Sequence, residues 1–155
     1  MRNFIFGVED SLVSTVGLLS GVSFAGLGSR YIIASGIILI LVEAISMGAG
    51  VFISEDSANE LKTDDKPDNK ISDAVVMFIS YITVWIIPLL PYFFSQYTGT
   101  AFYYSVIFSL LSLFTVGLFK GLVVKKNPFW SGIKITLIGA VVIAIAVTVG
   151  QLVSL

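Results

Sequence analysis

The chain has 155 residues, 56% of them hydrophobic and only 12% charged, with a formal net charge of -1. A soluble domain of this size would be closer to a quarter charged, so the composition points to an integral membrane protein. The absence of cysteine and histidine excludes disulfides, thiolate catalysis, imidazole bases and the usual zinc and copper ligand sets.

Five apolar segments follow one another. The first, residues 4–27, is preceded by Arg2 and contains Glu9 and Asp10 where a secretory leader would be uninterrupted. It is therefore read as a retained span. The turn Gly28-Ser29-Arg30 leads into the second, residues 31–53, with Glu43 near its centre. A polar connector, residues 54–70, separates it from the third, residues 71–94, which Pro88 and Pro91 are expected to kink, with freed carbonyls able to line a cavity. The fourth covers 100–123, Asn127-Pro128 stops it, and the fifth covers 132–153. The expected architecture is one all-α domain, residues 1–155, with no internal repeat. Trp85, Trp130, Tyr97, Tyr103 and Tyr104 are expected at the membrane interfaces, and Lys120 is expected to snorkel to the inner surface.

Charge placement sets the expected orientation. With the N-terminus in the cytoplasm, Arg2, Lys62, Lys66, Lys70, Lys120, Lys125, Lys126 and Lys134 all lie inside, and only Arg30 lies outside. This is a positive-inside pattern, and five spans then leave the C-terminus outside.

Glu43 is the residue that calls for explanation. A carboxylate near the centre of a spanning helix costs about 2.5–3.5 kcal/mol on insertion scales, and such acids usually face a protein interior. Met47 lies one turn later on the same face. Asp10 is about six residues, roughly 9 Å, into span one, level with Met47 and one turn nearer the cytoplasm than Glu43. Two stripes are expected to face each other, Asp10, Ser14, Gly17 and Gly21 on span one and Gly36, Glu43, Met47, Gly50 and Ser54 on span two, by small-residue packing or across a dimer axis. Glu9 is expected to point away from Asp10.

Asp10, Glu43 and Met47 form the candidate metal site. Glu55, Asp56 and Glu60 are candidates for the mouth through which metal enters. Each has a simpler reading: Asp10 as a helix N-cap, Met47 as core filler, Glu43 as a protonated structural acid, and the connector acids as a solvated loop.

The segments Val8-Glu9-Asp10-Ser11-Leu12-Val13-Ser14-Thr15 and Glu43-Ala44-Ile45-Ser46-Met47-Gly48-Ala49-Gly50, with Ser54, resemble the first two helices of the vacuolar iron transporter family. The likeness continues through Pro88-Leu89-Leu90-Pro91, Gly117-Leu118-Phe119-Lys120-Gly121, the Asn127-Pro128 turn and the last helix around Gly132 and Gly139. The resemblance implies a five-helix homodimer, N-terminus in and C-terminus out, with helices 1 and 2 lining the path. It implies export of ferrous iron, and often manganese, from the cytoplasm in exchange for protons. Asp10 and Met47 match path-lining positions of that family, and Glu43 an acidic position of its second-helix motif. Three departures stand out: Ser11 where the family has glycine, Val51 where it often has an acid, and a short connector where many relatives carry a Glu-rich metal-binding insertion.

The chemistry is coherent from the residues alone. Carboxylate oxygens suit Fe2+ and Mn2+, and a thioether favours transition metals over Mg2+ and Ca2+. Metal binding requires the ionised carboxylate and expels protons, so Asp10 and Glu43 can couple metal to proton movement. Competing readings are a non-transporting membrane assembly subunit, in which Glu43 serves helix pairing, and a transporter of another cation. No nucleophile-and-base pair marks an enzyme. No permanently bound cofactor and no nucleic-acid partner are expected, and the expected location is a prokaryotic cytoplasmic membrane.

Overall fold

A computed structural model describes residues 1–61, 69–95 and 97–154. In chain order its helices are α1 (Arg2–Phe24), α2 (Ser29–Leu61), α3 (Lys70–Val84), α4 (Ile86–Phe94), α5 (Thr98–Val123) and α6 (Pro128–Val153). α3 and α4 make one span, so five helical segments of the described chain are long and apolar enough to cross a membrane. The protein is a multi-pass, all-helical membrane protein.

The span limits extend outward from those expected. The turn after α1 sits at residues 25–28, where Gly26 takes a φ of +83°, and Ser29 and Arg30 already belong to α2. The largest difference is at the other end of α2. Residues 54–61, expected as connector, continue the helix to Leu61. Its 33 residues rise roughly 50 Å against a hydrocarbon core of about 30 Å, so its last turns stand clear of the apolar layer. Of the expected connector charges, Lys62, Asp64, Asp65, Lys66 and Asp68 lie outside the described residues, as does Pro67.

α1 is the central helix. It packs against α2, α3, α4, α5 and α6, and 56% of its most apolar window is buried, against 22–33% for the other spans. Leu12, Val16 and Leu19 are fully enclosed. The outer faces of α2, α5 and α6 present Ile38, Leu41, Ile45, Leu111 and Ile145 to the surroundings. That inversion of the soluble pattern suits helices whose solvent is lipid.

The third span breaks at Trp85, between α3 and α4. Pro88 lacks an N–H and its ring crowds the carbonyl of Val84 four residues earlier, so the helix cannot run straight through. Ser105 Oγ of α5 donates to the Pro88 carbonyl at 2.6 Å, which holds the broken span against its neighbour. Trp85 departs from the interface role expected of it: it is half-buried, packed against Ile40, Ala44, Tyr81 and Leu89. Trp130, Tyr97, Tyr103 and Tyr104 are exposed near helix ends, as expected.

Glycines set the closest helix contacts, and those of α1 do not face α2. A Cβ at Gly17 would meet Val142 Cγ1 at 2.9 Å, and one at Gly21 would meet the Ala146 carbonyl at 3.2 Å, so both face α6. Gly36 faces Leu89 and Leu19. The two expected stripes therefore do not mate along their length. α1 instead turns its small residues to α6 and meets α2 through polar side chains.

Candidate functional site

Those polar side chains converge in the middle of the spans. Ser14 Oγ of α1 donates to Glu43 Oε2 of α2 at 2.8 Å. The Tyr81 hydroxyl of α3 donates to the same oxygen, and the Ser14 and Tyr81 hydroxyls are themselves 2.8 Å apart. One turn back along α1, the half-buried Asp10 carboxylate faces both Glu43 and the Tyr81 hydroxyl. Ser11 Oγ donates to the Tyr81 carbonyl at 2.8 Å, with both groups buried. This bond fixes the height of α3 against α1 and so the position of the phenol.

Asp10 and Glu43 are thus brought together, and the simpler reading of Asp10 as an N-cap fails because α1 begins at Arg2. Met47 lies one turn from Glu43 and packs against the Ile40, Ala44 and Tyr81 cluster. It also lines a cavity of about 700 Å³ at the end of the bundle that holds Met1, together with Glu9, Ser54, Glu55, Met77 and Lys120. Met47 therefore borders both the acid pair and the cavity. Among the described residues no three Asp, Glu, His or Cys side chains gather into a metal cage. One chain offers two carboxylates, two hydroxyls and a thioether.

The three residues expected at the mouth separate. Glu55 lines the cavity and accepts an ion pair from Arg2 at 3.3 Å. Asp56 pairs with Lys70, whose ammonium also sits 5.1 Å from the Phe52 ring centroid. Glu60 is exposed near the end of α2.

Tyr81 is not among the residues expected at the site, and Glu9 and Lys120 have a contact that the sequence does not predict. Tyr81 carried a signal, because a phenol in mid-span needs a partner for its hydroxyl once buried. Glu9 does point away from Asp10, as expected, but into the cavity, where Lys120 Nζ donates to its Oε2 at 2.9 Å. Lys120 is accordingly an ion-pair partner rather than a side chain reaching only for the surface.

The family model described as the VIT family matches residues 1–70 and 58–151. Similar proteins include Vacuolar iron transporter 1 of Eucalyptus grandis, 26% identical over 94% of this chain and 83% of its own length. The Vacuolar iron transporter of Centaurea cyanus is 25% identical over 94% of this chain and 84% of its own length. Vacuolar iron transporter 1 of Arabidopsis thaliana is 25% identical over 99% of this chain and 86% of its own length. The alignment with the last runs over 214 residues, more than the 155 of this chain, so that relative carries residues this chain lacks. The family match divides where residues 58–70 stand, at the connector between the second and third spans. These relatives are named as vacuolar and come from plants, so the expectation of a prokaryotic cytoplasmic membrane is not borne out.

Proposed function

Because this chain belongs to the VIT family, we propose that it moves a divalent transition metal, Fe2+ or Mn2+, across a membrane in exchange for protons. Membership makes it a metal-ion transporter rather than an enzyme. The finer reading rests on one observation: the hydroxyls of Ser14 and Tyr81 hold Glu43 inside the bundle, with Asp10 near it on α1.

The geometry suits a proton as well as a metal. Three oxygens, Ser14 Oγ, Tyr81 Oη and Glu43 Oε2, lie in mutual contact. With Glu43 ionised, two hydroxyl protons serve three contacts. A proton on Glu43 completes the ring, each oxygen donating once and accepting once. A metal ion bound by the ionised carboxylates displaces that proton. The two acids with Met47 give oxygen donors and one soft donor, which favours Fe2+ and Mn2+ over Mg2+. A homodimer with the path along α1 and α2 is proposed on the family resemblance alone. The N-in orientation rests on the lysine distribution, and it places the cavity with Met47 and Glu55 on the cytoplasmic side.

The test is metal flux into proteoliposomes under an imposed pH gradient. Wild type should move Fe2+ or Mn2+ and protons in opposite directions, and Glu43→Gln should abolish both. A competing reading, in which Glu43 only ties helices together, draws on its two hydroxyl partners. It predicts no flux from wild type and a loss of stability in Glu43→Gln. Competition among Fe2+, Mn2+, Co2+, Zn2+ and choline separates metal from other cations.

A further inference from the structure

We infer that Glu9 is a loading site for the divalent cation inside the cavity at the Met1 end of the bundle, and that the Lys120 ammonium holds it as a tethered counter-ion until metal displaces it. The inference rests on the transport reading for its purpose, but its binding step stands by itself. Glu9 lines the cavity with Ser54, Glu55 and the thioethers of Met47 and Met77. Its side chain is only 15% exposed, and Lys120 covers Oε2. Its other oxygen, Oε1, is buried and has no partner among the described residues. A cavity-lining carboxylate with one buried oxygen left unpartnered gains a partner when a second cation binds beside it.

The two ion pairs of the cavity differ in kind. The two acids are equally enclosed, but Arg2 reaches Glu55 from the rim with its own side chain 84% exposed, whereas Lys120 is 39% exposed. Lys120 can leave without being stranded. It stands in the last turn of α5, where the helix dipole favours a cation, and its stem is flexible. A divalent ion outcompetes it on charge and can also use the thioether that an ammonium cannot. Glu9 and Asp10 are adjacent on α1, one toward the cavity and one toward the acid pair, and Met47 borders both. An ion at Glu9 therefore stands one helix face away from the transport site.

Mn2+ binding to purified protein, read from loss of the free-ion electron paramagnetic resonance signal, tests this in a Glu43→Gln background that weakens the deeper site. Lys120→Met should tighten binding about 3- to 10-fold, the range of a partly screened ion pair. Glu9→Gln should weaken it by a similar factor, the double variant should behave as Glu9→Gln alone, and Lys120→Arg should behave as wild type. In liposomes Lys120→Met should lower the half-saturating metal concentration, a shift that a purely structural pair would not produce. If Lys120→Met does not fold, Glu9→Gln decides alone: unchanged Mn2+ affinity overturns the inference. Flux that persists with an affinity insensitive to both residues overturns the loading site and leaves transport standing. Binding that follows Lys120 in a protein that moves no metal does the reverse.

Discussion

The α5–α6 hairpin and the α1–α2–α3 junction solve the same problem, holding helices together in lipid, in opposite ways. Along α5 and α6 the backbones touch. A Cβ at Gly117 would fall 2.6 Å from the Gly132 Cα, and one at Gly121 would fall 2.5 Å from the Pro128 Cα. Asn127 caps α6 by accepting from Phe129 N and Trp130 N. At those two crossings there is no room for a larger side chain. At the junction of α1, α2 and α3 the link is a set of hydroxyl and carboxylate groups around Glu43. Lipid removes the hydrophobic drive between helices, so van der Waals packing of closely approached backbones holds this joint. Hydrogen bonds to a carboxylate can be exchanged for a metal ion or a proton. The close-packed hairpin is the frame, and the polar junction is the part that the proposed transport requires to change state.

Substitutions at the two regions should therefore separate stability from transport. The largest effect expected is on flux. Asp10→Asn or Glu43→Gln should reduce metal transport at least about 100-fold, beyond the 10- to 100-fold typical of losing a supporting residue, while thermal stability in detergent changes little. A fall in melting temperature that accounts for the lost flux would erase the distinction. Next comes Gly121→Val, which forces backbone against backbone and should cost about 1–3 kcal/mol or more. Chemical denaturation should show it, with flux per folded molecule retained. Tyr81→Phe removes one donor from Glu43 and should cost about 1 kcal/mol of stability. It should also slow the metal–proton exchange, so its flux loss should exceed its stability loss. Asn127→Ala should cost about 1 kcal/mol through the lost cap without altering metal affinity. Smallest of all, Gly50→Ala meets open space and should leave stability within about 1 kcal/mol of wild type.

Several features were legible in the linear chain for physical reasons. A run of about 20 apolar residues has one low-energy state in lipid, because every backbone group must find its partner within the segment. This is why five spans could be placed before any coordinates. The isolation of Glu43 in such a run marks it as a candidate site residue for the same reason. Asp10 followed from depth along a neighbouring antiparallel helix, which a short turn makes calculable. The end of α2 is not legible because Ser54 to Leu61 is polar, and polarity alone does not separate a loop from a helix that has left the bilayer.

Which surface each helix turns to which neighbour was not legible. A stripe of small residues specifies close approach but not the partner, so Gly17 and Gly21 fit α6 as readily as the α2 expected. The sequence by itself determined the number of spans, their alternating course and the presence of acids that lipid would reject, because those depend on local hydropathy and chain connectivity. Only the tertiary structure decided that α1 lies at the centre, that Tyr81 joins Ser14 at Glu43, and that Glu9 meets Lys120 from 111 residues away. Those contacts depend on helix rotation and packing, which are set by all the neighbouring helices together.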